Sequence, residues 1–259
     1  LNCYDPKKDL FTSYIHKPGD AKTIGSNVIQ RVYADNEDNI WIGTYGRGLY
    51  FFNKNDNSFT RIPDKAATIP GDDIVDCIFQ DSKNQLWVGT RGAGLKQVDK
   101  NGTLQQFRHE KNNPNSLSID VVYAISEDNA GHLWIGTENG GICIYDTALN
   151  KFEVYKQDNA DISTISHNSI YALHKDVFGN MWVGTFAGGI NLLNKDIIKF
   201  GHYKHTSAIN SLSHNNVLCI TENSTGKLWI GTDGGGANLF DPAKKTFTHF
   251  KHKPGNKNS

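Results

Sequence analysis

The ten histidines are the first residues of this sequence whose chemistry could support catalysis or metal binding. Imidazole serves as a general acid or base near neutral pH and as a ligand of many metals. Six of the histidines fall at recurring positions of a repeated sequence: His16, His109, His205 and His252 at one position, and His167 and His214 at another. Residues that recur once per repeat should be distributed along the fold rather than converge on one ion. We therefore predict structural or solvated roles for them and no metal site.

Three further patterns of possible chemistry are weak. The acidic turn 35–39 resembles the start of a calcium loop, but the twelfth position of that loop would be Gly46 instead of the required Glu. The glycine-rich turn 234–236 does not lead from a strand into a helix, so it does not match a phosphate-binding loop. Ser, His and Asp occur mainly at repeated positions, without a distinct constellation for nucleophilic catalysis. The sequence predicts no catalytic residue, no cofactor and no enzyme activity in this region.

Composition limits the classes of partner. The 259 residues contain 27 basic and 27 acidic side chains, so the formal net charge is zero. Charge therefore gives no reason to expect nucleic acid as a partner. No apolar run approaches the roughly 18 residues of a membrane span, and no signal peptide opens the sequence. Contact with a membrane is expected only through parts outside this chain.

The positions of the five tryptophans show that the sequence is a repeat. Each tryptophan opens a Trp-Ile/Val-Gly-Thr phrase, and successive tryptophans lie 46, 47, 48 and 47 residues apart: Trp41, Trp87, Trp134, Trp182 and Trp229. A fixed period of this length indicates an array of identical structural units and must be considered before any single residue.

Each repeat contains four strand-like runs. The first is expected at 28–35, 74–81, 121–128, 169–176 and 216–223, and a turn of residues that tolerate positive φ leads from it to the tryptophan strand. A glycine-rich turn and two more strands follow, and sustained helical periodicity is lacking. The fold class is therefore all-β, a β-propeller with four-stranded antiparallel blades.

The repeat frame predicts domain boundaries and packing. One partial propeller array is expected over 1–259, with a C-terminal half of a blade at 1–24 and full blades at 25–70, 71–118, 119–166, 167–213 and 214–259. Tryptophan is expected to pack between blades, and the glycine two residues later should permit close approach of a neighbouring backbone. We expect such a fragment to be an open arc, or to associate with another chain through its ends, instead of closing into a ring.

The repeated phrase, of the form D-x-x-G-x-L-W-I-G-T-x-x-G-G-[LI] with a later F-x-x-Y and N-S-L-S, resembles the two-component regulator propeller repeat. In that family the repeats build seven-bladed propellers in the periplasmic sensors of hybrid two-component systems. The resemblance implies a periplasmic propeller that detects glycan fragments and signals through a histidine kinase. It also implies that this chain is part of a seven-bladed propeller.

Candidate ligand-binding residues are those that vary within the fixed frame. The turn between the second and third strands carries Tyr45, Arg47, Arg91, Glu138, Asn139, Phe186 and Asp233. Because strand direction alternates, this turn should share a propeller face with the connections between blades. Aromatic, guanidinium, carboxylate and amide groups around such a mouth suit an oligosaccharide. Ordinary solvated turn residues, or a ligand site at a domain or dimer junction, are the alternatives.

Two other classes of function remain open at this stage. A propeller lyase similar to the streptogramin lyases should carry an acid or base on the mouth face without a counterpart in other blades, and Glu138 and Asp233 come nearest to that condition. A protein-interaction scaffold is the third class, with a homodimer or neighbouring propeller blades as partners.

The four cysteines lie in blades or strands that do not bring their Cα atoms within about 7 Å, so all four should be free thiols.

Overall fold

A computed structural model describes residues 1–63, 74–161, 163–193 and 200–252. The chain divides into two compact units, one comprising Leu1–Arg108 with Asp120–Val122, and the other His109–Ile119 with Tyr123–Ser259. In the described ranges no helix is both long and apolar enough to cross a membrane. Each unit is built from antiparallel sheets.

The first unit contains a two-stranded sheet and two four-stranded blades. The two-stranded sheet comprises β1 (Asn2–Asp5) and β2 (Leu10–Ser13). Blade one comprises β3 (Ile29–Ala34), β4 (Ile40–Thr44), β5 (Leu49–Asn53) and β6 (Ser58–Arg61). Blade two comprises β7 (Val75–Gln80), β8 (Leu86–Thr90), β9 (Leu95–Asp99) and β10 (Gly102–Phe107).

The second unit contains three four-stranded blades. The first strand of blade three begins at Val122, the last residue of the first unit, and continues from Tyr123 in the second. Blade three comprises β11 (Val122–Glu127), β12 (Leu133–Thr137), β13 (Ile142–Asp146) and β14 (Lys151–Tyr155). Blade four comprises β15 (Ile170–Lys175), β16 (Met181–Thr185), β17 (Gly189–Leu193) and β18 (Phe200–Tyr203). Blade five comprises β19 (Val217–Glu222), β20 (Leu228–Thr232), β21 (Gly236–Asp241) and β22 (Thr246–Phe250).

The predicted fold class is confirmed: the chain has the β-propeller fold, with five blades of four sequential antiparallel strands. Each first strand lies one residue inside its predicted bounds at either end. The turn that follows it has positive φ at the expected position, with 59° at Asp38, 61° at Asn84, 83° at Gly131, 86° at Gly179 and 75° at Gly226. Asp, Asn and Gly occur there because their short or absent side chains tolerate the left-handed region.

The tryptophan strand is fixed to this turn by a hydrogen bond that is buried in blades two and four and partly buried in blades one and three. The indole Nε1 donates to an aspartate Oδ2 six residues earlier: Trp41 to Asp35 at 2.9 Å, Trp87 to Asp81 at 2.8 Å, Trp134 to Asp128 at 3.1 Å and Trp182 to Asp176 at 2.8 Å. The other carboxylate oxygen accepts backbone N–H groups of the turn, such as that of Asn180. One carboxylate therefore closes the turn and satisfies the indole, which lets the ring be buried. Blade five has Asn223 at this position, and Trp229 is 36% exposed.

In blades one to four the glycine two residues after the tryptophan allows close approach of a neighbouring first-strand residue, as predicted, whereas Gly231 of blade five faces only Cys219 Sγ of its own blade. A Cβ on Gly43 would lie 2.6 Å from Val75 Cγ1, and one on Gly184 would lie 2.6 Å from Val217 Cγ1. These first-strand aliphatic side chains are buried. The interblade contact is thus a branched aliphatic side chain placed over bare backbone, which any larger residue would obstruct.

All four cysteines are free thiols, as predicted, and they differ in environment. Cys77 and Cys143 are buried, whereas Cys3 and Cys219 are exposed. Burial raises the pKa of the Cys77 thiol to about 12. Burial also raises the pKa of Cys143, against hydrogen bonds with Ser118 that oppose the shift. The two buried thiols therefore act as small core residues instead of nucleophiles.

Candidate ligand-binding site

The turn between the second and third strands of a blade is anchored to the entrance of that blade's first strand. The backbone N–H of Tyr45 donates to Val28 O, that of Phe186 to Ser169 O and that of Asp233 to Asn216 O, each at 3.0 Å. A threonine hydroxyl closes the same turn, for example Thr185 Oγ1 on Gly189 O at 2.8 Å. Within each blade the variable turn residues therefore share an end with the incoming connection, as the alternation of strands predicts.

A β-bulge opens the first strand next to this turn. The register shifts between Ile29 and Arg31 in blade one, and equivalent shifts occur at Val75/Cys77, Ile170/Ala172 and Val217/Cys219. A bulge redirects one side chain out of the regular alternation, and bulges are common beside functional sites. The residues so redirected differ in each blade: Gln30, Asp76, Tyr171 and Leu218. These positions, with Tyr123 at the equivalent place in blade three, are absent from the sequence-based candidate set.

In blade two the bulge residue and the turn residue form an ion pair. Arg91 Nη2 donates to Asp76 Oδ1 at 2.7 Å, and Arg91 Nε donates to Oδ2 at 3.0 Å. The Arg91 guanidinium also lies 5.9 Å from the centre of the Tyr45 ring, within cation–π range. Asp76 is 6% exposed and Arg91 is partly exposed. The structure thus brings the predicted residues Tyr45 and Arg91 together and fixes the guanidinium with a buried carboxylate.

Arg31 reaches the same position from blade one. Its Nε donates to the Asp76 backbone oxygen at 2.6 Å. Two guanidinium groups therefore lie on one bulge residue, Arg91 through two hydrogen bonds and Arg31 through one. Guanidinium groups favour carboxylate or hydroxyl-rich ligands over apolar ones. Arg47, another predicted residue, faces a different neighbour, since its backbone oxygen accepts from Arg61 Nε at 3.2 Å.

In the second unit the corresponding positions form an aromatic cluster. The Tyr171 and Phe186 ring centres are 5.8 Å apart, and the Tyr123 and Tyr171 rings meet edge to face at 4.8 Å and 87°. His167 adds a ring 5.9 Å from Phe186. Phe186 is 40% exposed, so this cluster presents an aromatic surface at the variable end of blades three and four. Rings fixed by each other in edge-to-face contact lose little freedom when a ligand binds.

A polar pair borders the aromatic cluster. Asn139 N donates to Ser169 Oγ at 3.1 Å, and Ser169 Oγ donates to Asn139 Oδ1 at 2.8 Å. Asn139 has a φ of 57°, which suits asparagine in this turn. The backbone N–H of Ser169 donates to His167 Nδ1 at 2.9 Å, so Asn139, Ser169 and His167 form one connected network. The predicted residues Asn139 and Phe186 are therefore linked through Ser169 and His167.

Glu138 and Asp233, the two predicted acidic residues, are placed at the same kind of turn but outside these contacts. Glu138 is half-buried and Asp233 is exposed. The described residues contain no group of three or more His, Cys, Asp or Glu side chains that could hold a metal ion.

The histidines at recurring positions have recurring structural partners. The Nδ1 atoms of His16, His109 and His205 lie 2.9, 2.7 and 2.7 Å from the backbone oxygens of Ile24, Leu117 and Leu212. A carbonyl only accepts, so Nδ1 is the donor in each pair. His167 and His214 instead accept from backbone N–H groups through Nδ1. These contacts fix the connections between blades, which agrees with the structural role that was predicted.

The repeats match the family model for the two component regulator propeller at residues 23–46, 68–92, 116–139, 164–187 and 211–234. Each match runs from the end of a connection, through the first two strands, into the variable turn. No curated protein matches the chain in sequence.

Solved structures with a similar fold include sensor domains and a lyase. One is the extracellular domain of a protein described as a hybrid two component system, BT4673 of B. thetaiotaomicron, with 22% identity, a TM-score of 0.53, and coverage of 96% of this chain and 38% of that one. A second such domain, BT3049, shows 18% identity, a TM-score of 0.50, and coverage of 97% and 43%. A virginiamycin B lyase from Staphylococcus aureus with quinupristin shows 16% identity, a TM-score of 0.65, and coverage of 93% and 73%. This chain thus spans less than half the length of the two sensor domains.

Proposed function

Because the chain belongs to the two-component regulator propeller family, we propose that it is a ligand-sensing part of a hybrid two-component sensor. In this proposal the propeller lies in the periplasm, binds glycan fragments, and passes the binding event to a histidine kinase elsewhere in the protein. The fold likeness to extracellular domains of such systems supports the placement outside the cytoplasm. The observation that carries the ligand proposal is the aromatic cluster of Tyr123, Tyr171 and Phe186.

The aromatic cluster suits the apolar face of a sugar ring. A pyranose presents C–H groups on its faces and hydroxyl groups on its rim, so it needs a flat apolar surface with hydrogen-bonding groups around it. Phe186 supplies exposed ring surface, and Asn139 and Ser169 supply an amide and a hydroxyl at its edge. These residues stand on strand ends and tight turns, which keeps the site rigid before ligand binds.

The ion-paired cluster of the first unit would serve the same function with different chemistry. Arg91 is oriented by Asp76 and supported by Tyr45, so its donors are fixed in direction. A fixed guanidinium recognises pairs of hydroxyl groups or a carboxylate with little loss of side-chain entropy.

We also propose that the chain acts without catalysis, despite the likeness in fold to a lyase. His167, the imidazole nearest to the aromatic cluster, uses Nδ1 to accept from Ser169 N. The acidic candidates Glu138 and Asp233 lie at other turns without a described contact to it. General acid–base catalysis needs an acid and a base within hydrogen-bond reach of one substrate atom, and this arrangement gives no support for such a pair.

Binding of oligosaccharides to the purified chain tests the proposal. A panel of neutral and acidic oligosaccharides is screened by thermal shift, and each hit is measured by isothermal titration calorimetry. We expect Phe186→Ala to weaken binding of a hit by roughly tenfold or more, since ring stacking is lost. Phe178→Ser changes an exposed aromatic residue in the hairpin between β15 and β16, at the opposite end of blade four from Phe186, and should leave affinity unchanged. Equal affinity of the wild type and Phe186→Ala for every hit would contradict the aromatic site.

A further inference from the structure

Blade one departs from the repeat at four positions that lie at one end of the blade. Gly25 stands where blades three to five have serine, and Arg47 stands where they have glycine. Tyr50 replaces the cysteine or asparagine of β13, β17 and β21, and Arg61 replaces the valine or histidine of β14, β18 and β22. The four positions are in contact, so the residue at one limits which residues fit at the others.

The later blades show what the usual residues do. Asn191 Oδ1 accepts from Ser166 N at 2.8 Å, and Asn238 Oδ1 accepts from Ser213 N at 3.0 Å. The serine hydroxyl in turn fills the space beside the turn: a Cβ on Gly188 would lie 2.5 Å from Ser166 Oγ. Serine at the connection therefore requires glycine in the turn.

Blade one reverses this relationship. Gly25 has no side chain, and the Tyr50 hydroxyl occupies the vacated space so closely that a Cβ on Gly25 would overlap it. The turn can then carry Arg47 instead of glycine. Tyr50 is 6% exposed and forms a floor under these residues. Gly25 is thus the change that permits both larger side chains.

Arg61 completes the change. In blades four and five the equivalent imidazoles close the connection, since His202 Nε2 lies 2.9 Å from Thr164 O and His249 Nε2 lies 2.7 Å from Ser211 O. Arg61 instead directs its Nε to Arg47 O at 3.2 Å. Arg47 and Arg61 consequently lie side by side at one end of blade one.

These residues line a cleft of about 610 Å³ together with the loop 17–23. That volume is within the range of small-molecule sites. The cleft walls carry three cations, Lys17, Arg47 and Arg61, and one carboxylate, Asp20. Asp20 Oδ1 accepts from Lys22 N at 3.0 Å, so this carboxylate is engaged by its own loop.

The loop wall is held in place by Thr23. Its Oγ1 accepts from Lys17 N at 3.1 Å and donates to Asp20 O at 2.9 Å. The cationic groups therefore border a defined cavity in a chain whose net charge is zero.

We propose that this cleft binds the acidic group of an anionic saccharide, either the carboxylate of a uronic acid or a sulfate ester. The inference rests on the proposed function, which it narrows from glycans in general to glycans that carry negative charge. Arg47 and Arg61 supply directional donors to the acid oxygens, and Lys17 supplies an ammonium group. The Tyr50 ring gives the floor against which the acidic sugar lies.

The test uses two substitutions that the chain already tolerates in other blades. Arg47→Gly and Arg61→His restore the residues of blade five, so both variants should fold, and thermal unfolding verifies this. Lys151→Gln removes an exposed cation from β14 in the second unit and is the matched control. Titration calorimetry measures an oligogalacturonide, a heparin-derived oligosaccharide and neutral maltohexaose at about 50 and about 300 mM NaCl, where screening differs strongly.

We expect the oligogalacturonide, the heparin fragment or both to bind, more weakly at the higher salt concentration. Arg47→Gly and Arg61→His should each weaken this binding by roughly tenfold or more, while Lys151→Gln leaves it unchanged. Binding of neither anion, or equal affinity in all variants, would overturn the cleft proposal. Loss of anion binding in Arg61→His but not in Phe186→Ala would uphold the cleft and count against the aromatic site. Loss of anion binding in Phe186→Ala but not in Arg61→His would overturn the cleft proposal and uphold the proposed function alone.

Discussion

The guanidinium of Arg91 and the carboxylate of Asp76 are joined by two hydrogen bonds, of 2.7 and 3.0 Å. Arg91 follows the repeated Trp-Ile/Val-Gly-Thr phrase in blade two, and Asp76 is the residue that the first-strand bulge redirects. The pair therefore joins the two variable positions of one blade. Tyr171 and Phe186 repeat the relationship in blade four with aromatic rings instead of charges. The frame of the propeller is constant, and the chemistry at its variable end is set by this pair of positions.

The Asp76–Arg91 pair should make a measurable but small contribution to stability. We expect a double-mutant cycle of Asp76→Asn and Arg91→Gln to give a coupling free energy of about 1 kcal/mol, because Arg91 is partly solvated and screening reduces the attraction. Urea denaturation of the four proteins measures it. Coupling should decrease in high salt. Additive effects of the two substitutions would show that the pair has no energetic role.

The five tryptophans should differ in their contribution to stability. Trp182 is 1% exposed and hydrogen-bonded to Asp176, whereas Trp229 is 36% exposed. We expect Trp182→Ala to lower the free energy of unfolding by about 3–5 kcal/mol, the cost of a large cavity. Trp229→Ala should cost clearly less, since the ring buries less area. Denaturation of the two variants under the same conditions compares them, and equal losses would contradict the packing described for blade five.

Acid should weaken blade three through Asp128. Desolvation raises the pKa of Asp128, but hydrogen bonds from His132 N, Trp134 Nε1 and the His132 ring together outweigh it and leave the pKa below its usual value. A carboxyl with a lowered pKa in the folded state stabilises the fold above its unfolded pKa, near 4, and loses that contribution as pH falls through the folded value. Asp128→Asn removes the titration. The stability difference between wild type and Asp128→Asn should therefore shrink between about pH 5 and about pH 3. A difference that stays constant over this range would refute the role of the carboxylate.

Thiol reactivity should separate the cysteines into two pairs. Cys3 and Cys219 are exposed and should react with a thiol reagent in the native protein, while Cys77 and Cys143 should react only after unfolding. For Cys77 the pKa of about 12 leaves roughly one thiolate in 10,000 at pH 8. Native and denatured titrations without reductant should therefore find two and four thiols. Fewer than four in the denatured protein would reveal a disulfide.

The strands and turns of the blades could be predicted from sequence because the same structural requirements recur in each of the five repeats. The turn before Trp134 needs a residue that tolerates positive φ, and Gly136 must remain small for Ile170 to approach it. Such requirements appear as columns of one residue type, and the predicted strand bounds were accordingly close to those observed.

The candidate site could be predicted only in part. The turn residues could be identified because their residue types differ from blade to blade. Asp76, Tyr123 and Tyr171 lie inside strands, where a change of residue type between blades is also expected at any solvent-facing position. The bulge brings such residues beside the variable turn. A bulge depends on the pairing register between two strands, which one sequence does not show. The cleft of blade one is similar: Gly25 matters because of its contact with Tyr50, which lies 25 residues further along the chain.

Hydrogen exchange measured with and without a bound oligosaccharide tests the central claim, that ligand binds at the variable end of the blades. The purified chain is compared with the chain saturated by the tightest-binding member of the oligosaccharide panel. The account predicts added protection in peptides that contain the variable turns and bulges, such as 138–141, 169–172 and 186–189, or the cleft segments 17–25 and 45–50. It predicts no change in the hairpins at the other end of the blades, such as 128–132 and 176–180. Protection confined to those hairpins would contradict it.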